Sequence, residues 1–226
     1  SDKHSVLQLQ VLRSQGFVVS GLFEDNKFLH VAGARDVNDD GLNDYIIGAP
    51  FTTNNIGAAF LLYGRNGGSP DIHLSSLNHL QGFAIYGSTL GGFLGYAASG
   101  VADVNGDGVN DIAVSAPFAE NGRGAVYVIY GMLGYRGDIY VSTMTALDGY
   151  RIVGAAISGN LGFSMSSLGD VNMDGFDDFI VSAPYVDNAR GASYVLFGKS
   201  SSRDTYLASL SSSGGVAGSG LDYRQR

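Results

Sequence analysis

The sequence predicts an all-β fold made of four-stranded antiparallel repeats of about 67 residues each. Three observations support this fold class. The pattern Asp-Val-Asn-x-Asp-Gly-x-x-Asp occurs three times, starting at Asp36, Asp103 and Asp170, and successive starts are 67 residues apart. Short apolar runs bounded by glycine follow each copy, and such runs are typical of strands. The 226-residue chain contains 34 Gly but only 4 Pro, as expected for many short strands joined by tight turns.

Each unit contains four strand-like runs in the same order. The first precedes the acidic pattern and is rich in Gly, Ala and Ser, the second ends in Ala-Pro, and the third and fourth are β-branched or aromatic. In the first unit these runs are 28–34, 45–50, 57–64 and 82–87, and the first run recurs at 94–101 and 161–168. Four-stranded units repeated along a chain are typical of β-propeller blades. Small residues in the first strand suit the crowded centre of a propeller.

The repeats predict three blades with calcium loops plus an extra outer-strand segment. The predicted organisation is 1–21 as the outer-strand segment of a preceding blade, 22–87 as repeat 1, 88–154 as repeat 2, 155–220 as repeat 3 and 221–226 as a tail. Gly16–Gly21 copies a fourth strand, and Gly215–Gly218 reads as a degraded one. Because propellers usually have four to eight blades, we expect either a section of a longer propeller or copies that complete one another. The surplus N-terminal strand could add to a neighbour's sheet edge.

The acidic pattern predicts a calcium loop in each unit. Alternating positions of a tight loop aim oxygen ligands inward, glycine at position six permits the sharp turn, and calcium takes six to eight oxygens. The predicted ligands are Asp36, Asn38, Asp40, the carbonyl of Leu42 and Asp44; Asp103, Asn105, Asp107, the carbonyl of Val109 and Asp111; and Asp170, Asn172, Asp174, the carbonyl of Phe176 and Asp178. We therefore expect three calcium ions as the only cofactors.

The pattern has two alternative interpretations, an EF-hand and an Asx turn without metal. An EF-hand requires a bidentate Glu at position twelve and flanking helices, whereas Ile47, Val114 and Val181 stand there within β-type runs. The EF-hand is therefore excluded. The pattern could also be a plain Asx turn that binds no metal. Three copies that all retain Asp at positions one, five and nine favour the metal site, since a turn alone gives no reason for the aspartate at position nine.

Composition narrows the classes of partner. The formal net charge is −8, no basic stripe is present, and nucleic acid is therefore not expected as a partner. No apolar run is long enough to span a membrane. The chain has no cysteine, so disulfides and thiolate metal sites are excluded. It does not begin with Met and shows no signal-peptide pattern, which suggests a processed or excised piece.

The repeat resembles the FG-GAP repeat of integrin α-subunit β-propellers and their relatives. The Gly-aromatic pair of that family occurs as Gly95-Tyr96 and Gly162-Phe163, and its Gly-Ala-Pro occurs intact at 48–50 and as Ser-Ala-Pro at 115–117 and 182–184. The first unit departs from the family with Phe28-Leu29-His30 at the position of the Gly-aromatic pair. The resemblance implies an extracellular or cell-surface calcium-stabilised propeller used for adhesion or assembly.

These features favour a structural or adhesive module that contacts a protein partner or other copies of itself. An enzyme is not expected, because none of His4, His30, His73 and His79 stands in a motif with a nucleophile. A carbohydrate-binding propeller, or the non-catalytic propeller of a larger hydrolase, is the alternative, since 13 Tyr and 12 Phe could provide stacking platforms for glycans. Arg136-Gly137-Asp138 spells an integrin-ligand tripeptide, but Asp138 occupies the same repeat position as Asp71 and Asp204.

Overall fold

The computed structural model describes residues 16–21, 28–67 and 70–210 of the chain. The strands in these residues are β1 (Val19–Ser20), β2 (His30–Arg35), β3 (Asp44–Ala49), β4 (Ala58–Leu62), β5 (Ile72–His73), β6 (Gly82–Tyr86), β7 (Ala98–Ala102), β8 (Asp111–Ala116), β9 (Ala125–Ile129), β10 (Ile139–Tyr140), β11 (Gly149–Val153), β12 (Met165–Gly169), β13 (Asp178–Ala183), β14 (Ala192–Leu196) and β15 (Thr205–Tyr206). Two 3₁₀ helices cover Leu74–Ser76 and Leu207–Leu210. The all-β prediction is confirmed. The predicted strand Gly215–Gly218, the tail 221–226 and His4 lie outside the described residues.

Two one-turn segments, Thr52–Asn55 and Val186–Ala189, have helix-like hydrogen bonds without helical backbone. Their second residues, Thr53 and Asp187, both have φ of 50°. Left-handed residues of this kind occur singly or in pairs in turns and do not propagate a helix. Both segments are therefore turns that connect the second and third strands of a blade.

The strands form one sheet per repeat. Two sheets have five strands, in the orders β10-β6-β4-β3-β2 and β15-β11-β9-β8-β7, and a third has the order β12-β13-β14. In each five-stranded sheet four strands are antiparallel, as predicted for a blade, and the fifth is a two-residue strand from the next repeat that pairs in parallel. β5 pairs with β1 in the same way. The sequence pattern did not predict this fifth strand.

A repeated aspartate secures each fifth strand to the preceding sheet. The Oδ1 atoms of Asp71, Asp138 and Asp204 accept hydrogen bonds of 2.9 Å from the backbone N–H groups of Val18, Ala84 and Arg151, respectively. These donors occupy one repeat position in the fourth strand of the preceding blade. The aspartate is therefore repeated because it fastens one blade to the next.

The predicted first strands began too early. The runs 94–101 and 161–168 were assigned to strands, but β7 begins at Ala98 and β12 at Met165. The preceding residues bond to the neighbouring blade instead: the N–H groups of Leu94 and Leu161 donate to the carbonyls of Ile56 and Arg123, each at 3.0 Å. The Gly-aromatic pair therefore belongs to an inter-blade turn.

The hydrophobic core lies between successive blades. One cluster joins the first two blades and includes Ala34, Ala98 and Val114, and another joins the second and third and includes Val101, Met165 and Phe179. Small side chains occur where β2, β7 and β12 approach one another, which agrees with the expectation for first strands. Adjacent blades stabilise each other through this burial of apolar surface.

Candidate metal loops and the surfaces around them

The three acidic segments connect the first and second strands of their blades. Strand pairing shifts register immediately before each loop, between Gly33 and Arg35 in the first blade and at the same position in the other two. Such a bulge bends the strand where the chain enters the loop. Position twelve of each pattern lies inside β3, β8 or β13, so the exclusion of an EF-hand is confirmed.

The loops share one backbone conformation. Left-handed residues occupy the position before the pattern, position four and position six of every loop. They are Arg35, Asp39 and Gly41 (φ 60°, 56° and 86°), Ala102, Gly106 and Gly108 (62°, 78° and 90°), and Gly169, Met173 and Gly175 (74°, 62° and 91°). Only position six is always glycine. A non-glycine residue in this region costs about 1–3 kcal/mol, and such strain concentrates at ligand sites.

The side chains at positions one, three and five form hydrogen bonds within their own loop. In the first loop Asp36 accepts hydrogen bonds from the N–H groups of Asp40 (3.1 Å) and Gly41 (2.7 Å), and the Asn38 amide donates to Asp40 Oδ2 at 3.0 Å. The other two loops repeat these contacts. In the third loop, hydrogen bonds led by the Gly175 N–H hold the pKa of Asp170 below its ordinary value.

The aspartates at position nine are buried and have a structural role. Asp44 accepts hydrogen bonds from the N–H of Val37 (2.8 Å), at the start of its loop, and from that of Gly64 (2.7 Å), after the third strand. Asp111 and Asp178 make the same two contacts in their blades. The inference that a turn has no use for this residue was therefore wrong, because it ties the loop to its own sheet.

Burial makes the ionised form of these carboxylates costly. It raises the pKa of Asp44 to about 6 and that of Asp111 to about 8, although two backbone hydrogen bonds oppose the shift in each case. Repulsion from the carboxylates at positions five and one adds to the increase. A cation near these carboxylates would favour their ionised forms.

The residues of each loop fit calcium by their donor chemistry. All five predicted donors are oxygens, which a hard cation prefers, and a carboxylate oxygen keeps acceptor capacity beyond one hydrogen bond. In the conformation described for 16–21, 28–67 and 70–210, however, no three His, Cys, Asp or Glu side chains lie close enough together to hold a metal ion. The three calcium sites and their fifteen ligands therefore stay predictions.

The Arg136-Gly137-Asp138 tripeptide is engaged in contacts within the protein. The Arg136 side chain is 11% exposed, and its guanidinium donates to the Tyr130 carbonyl and to Asp148 Oδ1, both at 2.8 Å. It also lies 5.4 Å from the centre of the Phe83 ring. Asp138 fastens two blades, as described above. Neither charged group is presented as a free recognition element.

A row of aromatic side chains crosses all three blades at the end opposite the acidic loops. Neighbouring ring centroids in this row are 4.9–6.0 Å apart. The aromatic row consists of Phe51, Phe93, Phe118, Tyr96, Phe163 and Tyr185, in spatial order. Phe51, Phe118 and Tyr185 are exposed, and each follows the proline directly after a second strand. Exposed aromatic side chains that contact one another are a candidate interaction surface.

A serine and a histidine that no sequence motif connected are close in space. Ser20 Oγ lies 2.5 Å from His73 Nδ1, although 53 residues separate them. They sit opposite each other in the β1–β5 pair. The contact therefore reinforces a pairing of two strands that have only two residues each.

A polar cavity of about 330 Å³ lies beside the fourth strand of the second blade. Tyr127 and Arg151 line it together with Glu120 and Asp204, and Arg151 forms ion pairs with both acids at 2.7 and 3.1 Å.

No helix in the described part of the chain is long and apolar enough to cross a membrane.

A family model and several known proteins match this sequence. A family model for the FG-GAP repeat matches residues 94–129 and 162–196. The chain is 27% identical to integrin alpha-V of Gallus gallus over 80% of its length and 16% of the relative's. It is 31% identical to the phosphatidylinositol-glycan-specific phospholipase D of Mus musculus, over 71% of this chain and 19% of that protein. Integrin alpha ina-1 of Caenorhabditis elegans is 27% identical over 76% of the chain. The chain thus spans about a sixth of the length of the integrin relatives.

Proposed function

Because the chain carries FG-GAP repeats, and so belongs to the repeat family found in integrin alpha subunits, we propose that it is an extracellular, calcium-binding propeller module with a structural or adhesive role. The observation that carries this proposal is the threefold recurrence of one loop, with the same hydrogen-bonded aspartate at position one and the same left-handed positions. Calcium is architectural in this proposal and takes no part in catalysis.

The residues at positions one, three, five, seven and nine of each loop would hold the ion. Bound calcium supplies positive charge next to three carboxylates. The position-nine aspartate then connects the ion site to the sheet through its two backbone hydrogen bonds, and the loop fixes the turn between the first two strands. Three ions would reduce the formal charge from −8 to about −2.

The calcium affinity expected for these loops indicates where the protein is located. Sites of extracellular modules bind at roughly 10⁻⁴ to 10⁻³ M, so they fill outside cells and stay empty in resting cytosol. An extracellular or cell-surface protein is therefore the setting in which these loops are occupied.

The aromatic row is the proposed contact surface for a protein partner. Aromatic side chains are enriched at interface centres, where they provide large contact area at low entropic cost. Because the acidic loops lie at the other end of the blades, a partner bound to the row would leave them free to hold calcium.

We expect the double substitution Phe118→Ala and Tyr185→Ala to weaken adhesion. Exposed interface aromatics typically contribute about 1–2 kcal/mol each, so the two together should reduce affinity at least tenfold. The measurement is attachment of cultured cells to immobilised protein in millimolar calcium. Leu147→Ala is the control, because Leu147 is 90% exposed and lies outside the row. Equal attachment to the wild-type protein, the double variant and the control would show that the aromatic row is not the contact surface.

The polar cavity favours carbohydrate binding as a second candidate. In the first blade Phe60 and Ala84 occupy the positions of Tyr127 and Arg151, so the repeat itself does not require this polar lining. Ligand pockets usually begin at about 300 Å³, close to the size of this cavity. A glycan array probed with the labelled protein distinguishes the two candidates, and binding that Arg151→Ala abolishes would favour carbohydrate.

The matches to phosphatidylinositol-glycan-specific phospholipase D favour a third candidate function, in which the chain is the non-catalytic propeller of a larger hydrolase. In that case the chain would position a catalytic domain rather than perform chemistry. The calcium loops and blade contacts would keep the same structural role.

A further inference from the structure

The first and second acidic loops are joined by hydrogen bonds between their blades. The backbone N–H of Met132, shortly after the third strand of the second blade, donates to the carbonyl of Val37 in the first loop at 3.0 Å. The N–H of Val37 donates to Asp44 Oδ2, and the N–H of Gly131 donates to Asp111 Oδ1, both at 2.8 Å. Three hydrogen bonds and the backbone between them therefore connect the position-nine aspartates of these two loops.

The second and third loops are joined in the same way. The N–H of Lys199 donates to the Val104 carbonyl at 2.7 Å, and the N–H of Val104 donates to Asp111 Oδ2 at 3.0 Å. The N–H of Gly198 donates to Asp178 Oδ1 at 2.9 Å. Asp111 takes part in both connections, with one carboxylate oxygen in each. The two connections together therefore link all three acidic loops.

The residue at position eight makes a second contact between loops. Asn110 Nδ2 of the second loop donates to the Asp36 carbonyl of the first at 2.9 Å. In the third loop the Asp177 N–H donates to the Asp103 carbonyl at 2.9 Å, and Asp177 Oδ2 accepts from the Asp103 N–H at 3.1 Å. Asp36 and Asp103 are the predicted position-one ligands. Each later loop therefore holds the backbone of a ligand residue in the loop before it.

The backbones of successive loops are also packed closely where they meet. A Cβ atom at Gly131 would lie 2.3 Å from the Asn110 carbonyl oxygen and 2.9 Å from the Val37 carbonyl oxygen. These two oxygens belong to the second and first loops, respectively. Because a close-packed region transmits displacement, a shift of one loop is expected to shift the backbone that supports its neighbour.

We propose that adjacent acidic loops bind calcium cooperatively, an inference that rests on the calcium binding proposed above. An ion that fixes one loop also fixes the position-two carbonyl and the position-one backbone to which the next loop bonds. The ordering cost at these shared contacts is then met by the first ion, so the second ion binds more tightly. The contacts join the first loop to the second and the second to the third, which makes the second loop the link.

Charge acts in the opposite direction. The three predicted carboxylate ligands of a loop carry a formal charge of −3, which one calcium ion reduces to −1. The neighbouring loop then attracts its own ion less strongly. At an ionic strength of 0.15 M, interactions between exposed charges are screened over about 8 Å, whereas salt does not screen packing contacts in this way. We therefore expect the shared contacts to outweigh the charge effect at this ionic strength.

Calcium titration of the full chain in 0.15 M salt, followed with a calcium-selective electrode, tests the coupling. We expect three bound ions and a Hill coefficient of about 1.4 or more, the value for two sites coupled by a factor of about five. Three bound ions with a Hill coefficient of 1 or below would overturn the coupling and leave the calcium loops standing. A titration with no bound calcium would contradict the proposed function as well.

Disabling one loop at a time locates the coupling. Asp107→Ala removes the second loop and leaves two loops that are not neighbours, whereas Asp40→Ala and Asp174→Ala each leave an adjacent pair. The three variants are matched, because each removes an exposed position-five aspartate. We expect two bound ions in every variant, with a Hill coefficient of about 1.4 or more for Asp40→Ala and Asp174→Ala and about 1 for Asp107→Ala. Equal Hill coefficients in the three variants would overturn the proposal, since a merely structural loss at Asp107 would lower the melting temperature and leave the shape of the binding curve unchanged.

Discussion

Removing calcium with EGTA is expected to lower the melting temperature of the chain by roughly 10–20 °C. A site with a Kd of about 10⁻⁴ M in ~2 mM calcium adds about 2 kcal/mol to the free energy of unfolding, because the ion binds only the folded loop. Three sites add about 5 kcal/mol in total. For a domain of this size, each 1 kcal/mol of stability raises the melting temperature by about 2–4 °C. Differential scanning calorimetry with and without chelator measures the change.

The matched variant for this experiment removes position five from every loop. Asp40, Asp107 and Asp174 are all exposed, so their combined replacement by Ala leaves the core intact. This variant should melt at nearly the same temperature with and without EGTA, because each loop has lost a carboxylate ligand. If the wild-type protein also melts identically in both buffers, the loops are turns without a metal.

Substituting Gly124 by Ala is expected to destabilise the chain by at least about 3 kcal/mol. Gly124 has φ of +81°, and a Cβ atom there would lie 2.2 Å from the Leu161 carbonyl oxygen and 2.4 Å from its nitrogen. Both atoms are backbone of the neighbouring blade, so they cannot move aside as a flexible side chain would. The substitution would separate the second and third blades where Leu161 donates to Arg123.

Gly134→Ala is the control that separates crowding from backbone strain. Gly134 has φ of +82°, almost the same as Gly124, but nothing lies within 4 Å of its Cβ position. Gly134→Ala should therefore lower the free energy of unfolding by only about 1 kcal/mol, the cost of the left-handed backbone alone. Urea denaturation of both variants gives the two free energies. Equal losses would show that inter-blade contact at Gly124 contributes little.

The regular parts of the blades could be predicted because their signals are local. The second and third strands are β-branched or aromatic runs bounded by glycine or proline, and the structure places β3, β4, β8, β9, β13 and β14 in them. The fifth strands could not be predicted. They have two residues each, too few for a pattern, and they pair with the sheet of the preceding repeat.

The acidic loops were also a local signal, but the contacts around them are not. The partner of Asp44 beyond its own loop is Gly64, which follows the third strand, so spacing alone suggested only a metal ligand. Phe51, Phe118 and Tyr185 recur at the 67-residue spacing, but the sequence does not show that Phe118 lies beside Tyr96 and Tyr185 beside Phe163. The shift of the first strands to later residues depends on bonds to another blade, which local propensity does not report.

Counting bound calcium by native mass spectrometry tests most directly whether each acidic loop holds an ion. After exchange into a volatile buffer with calcium, we expect three ions per chain, and none in the variant that lacks all three position-five aspartates. The count per chain is independent of whether the protein is a single chain or a pair. A wild-type spectrum that carries no more calcium than this variant would contradict the proposed metal loops.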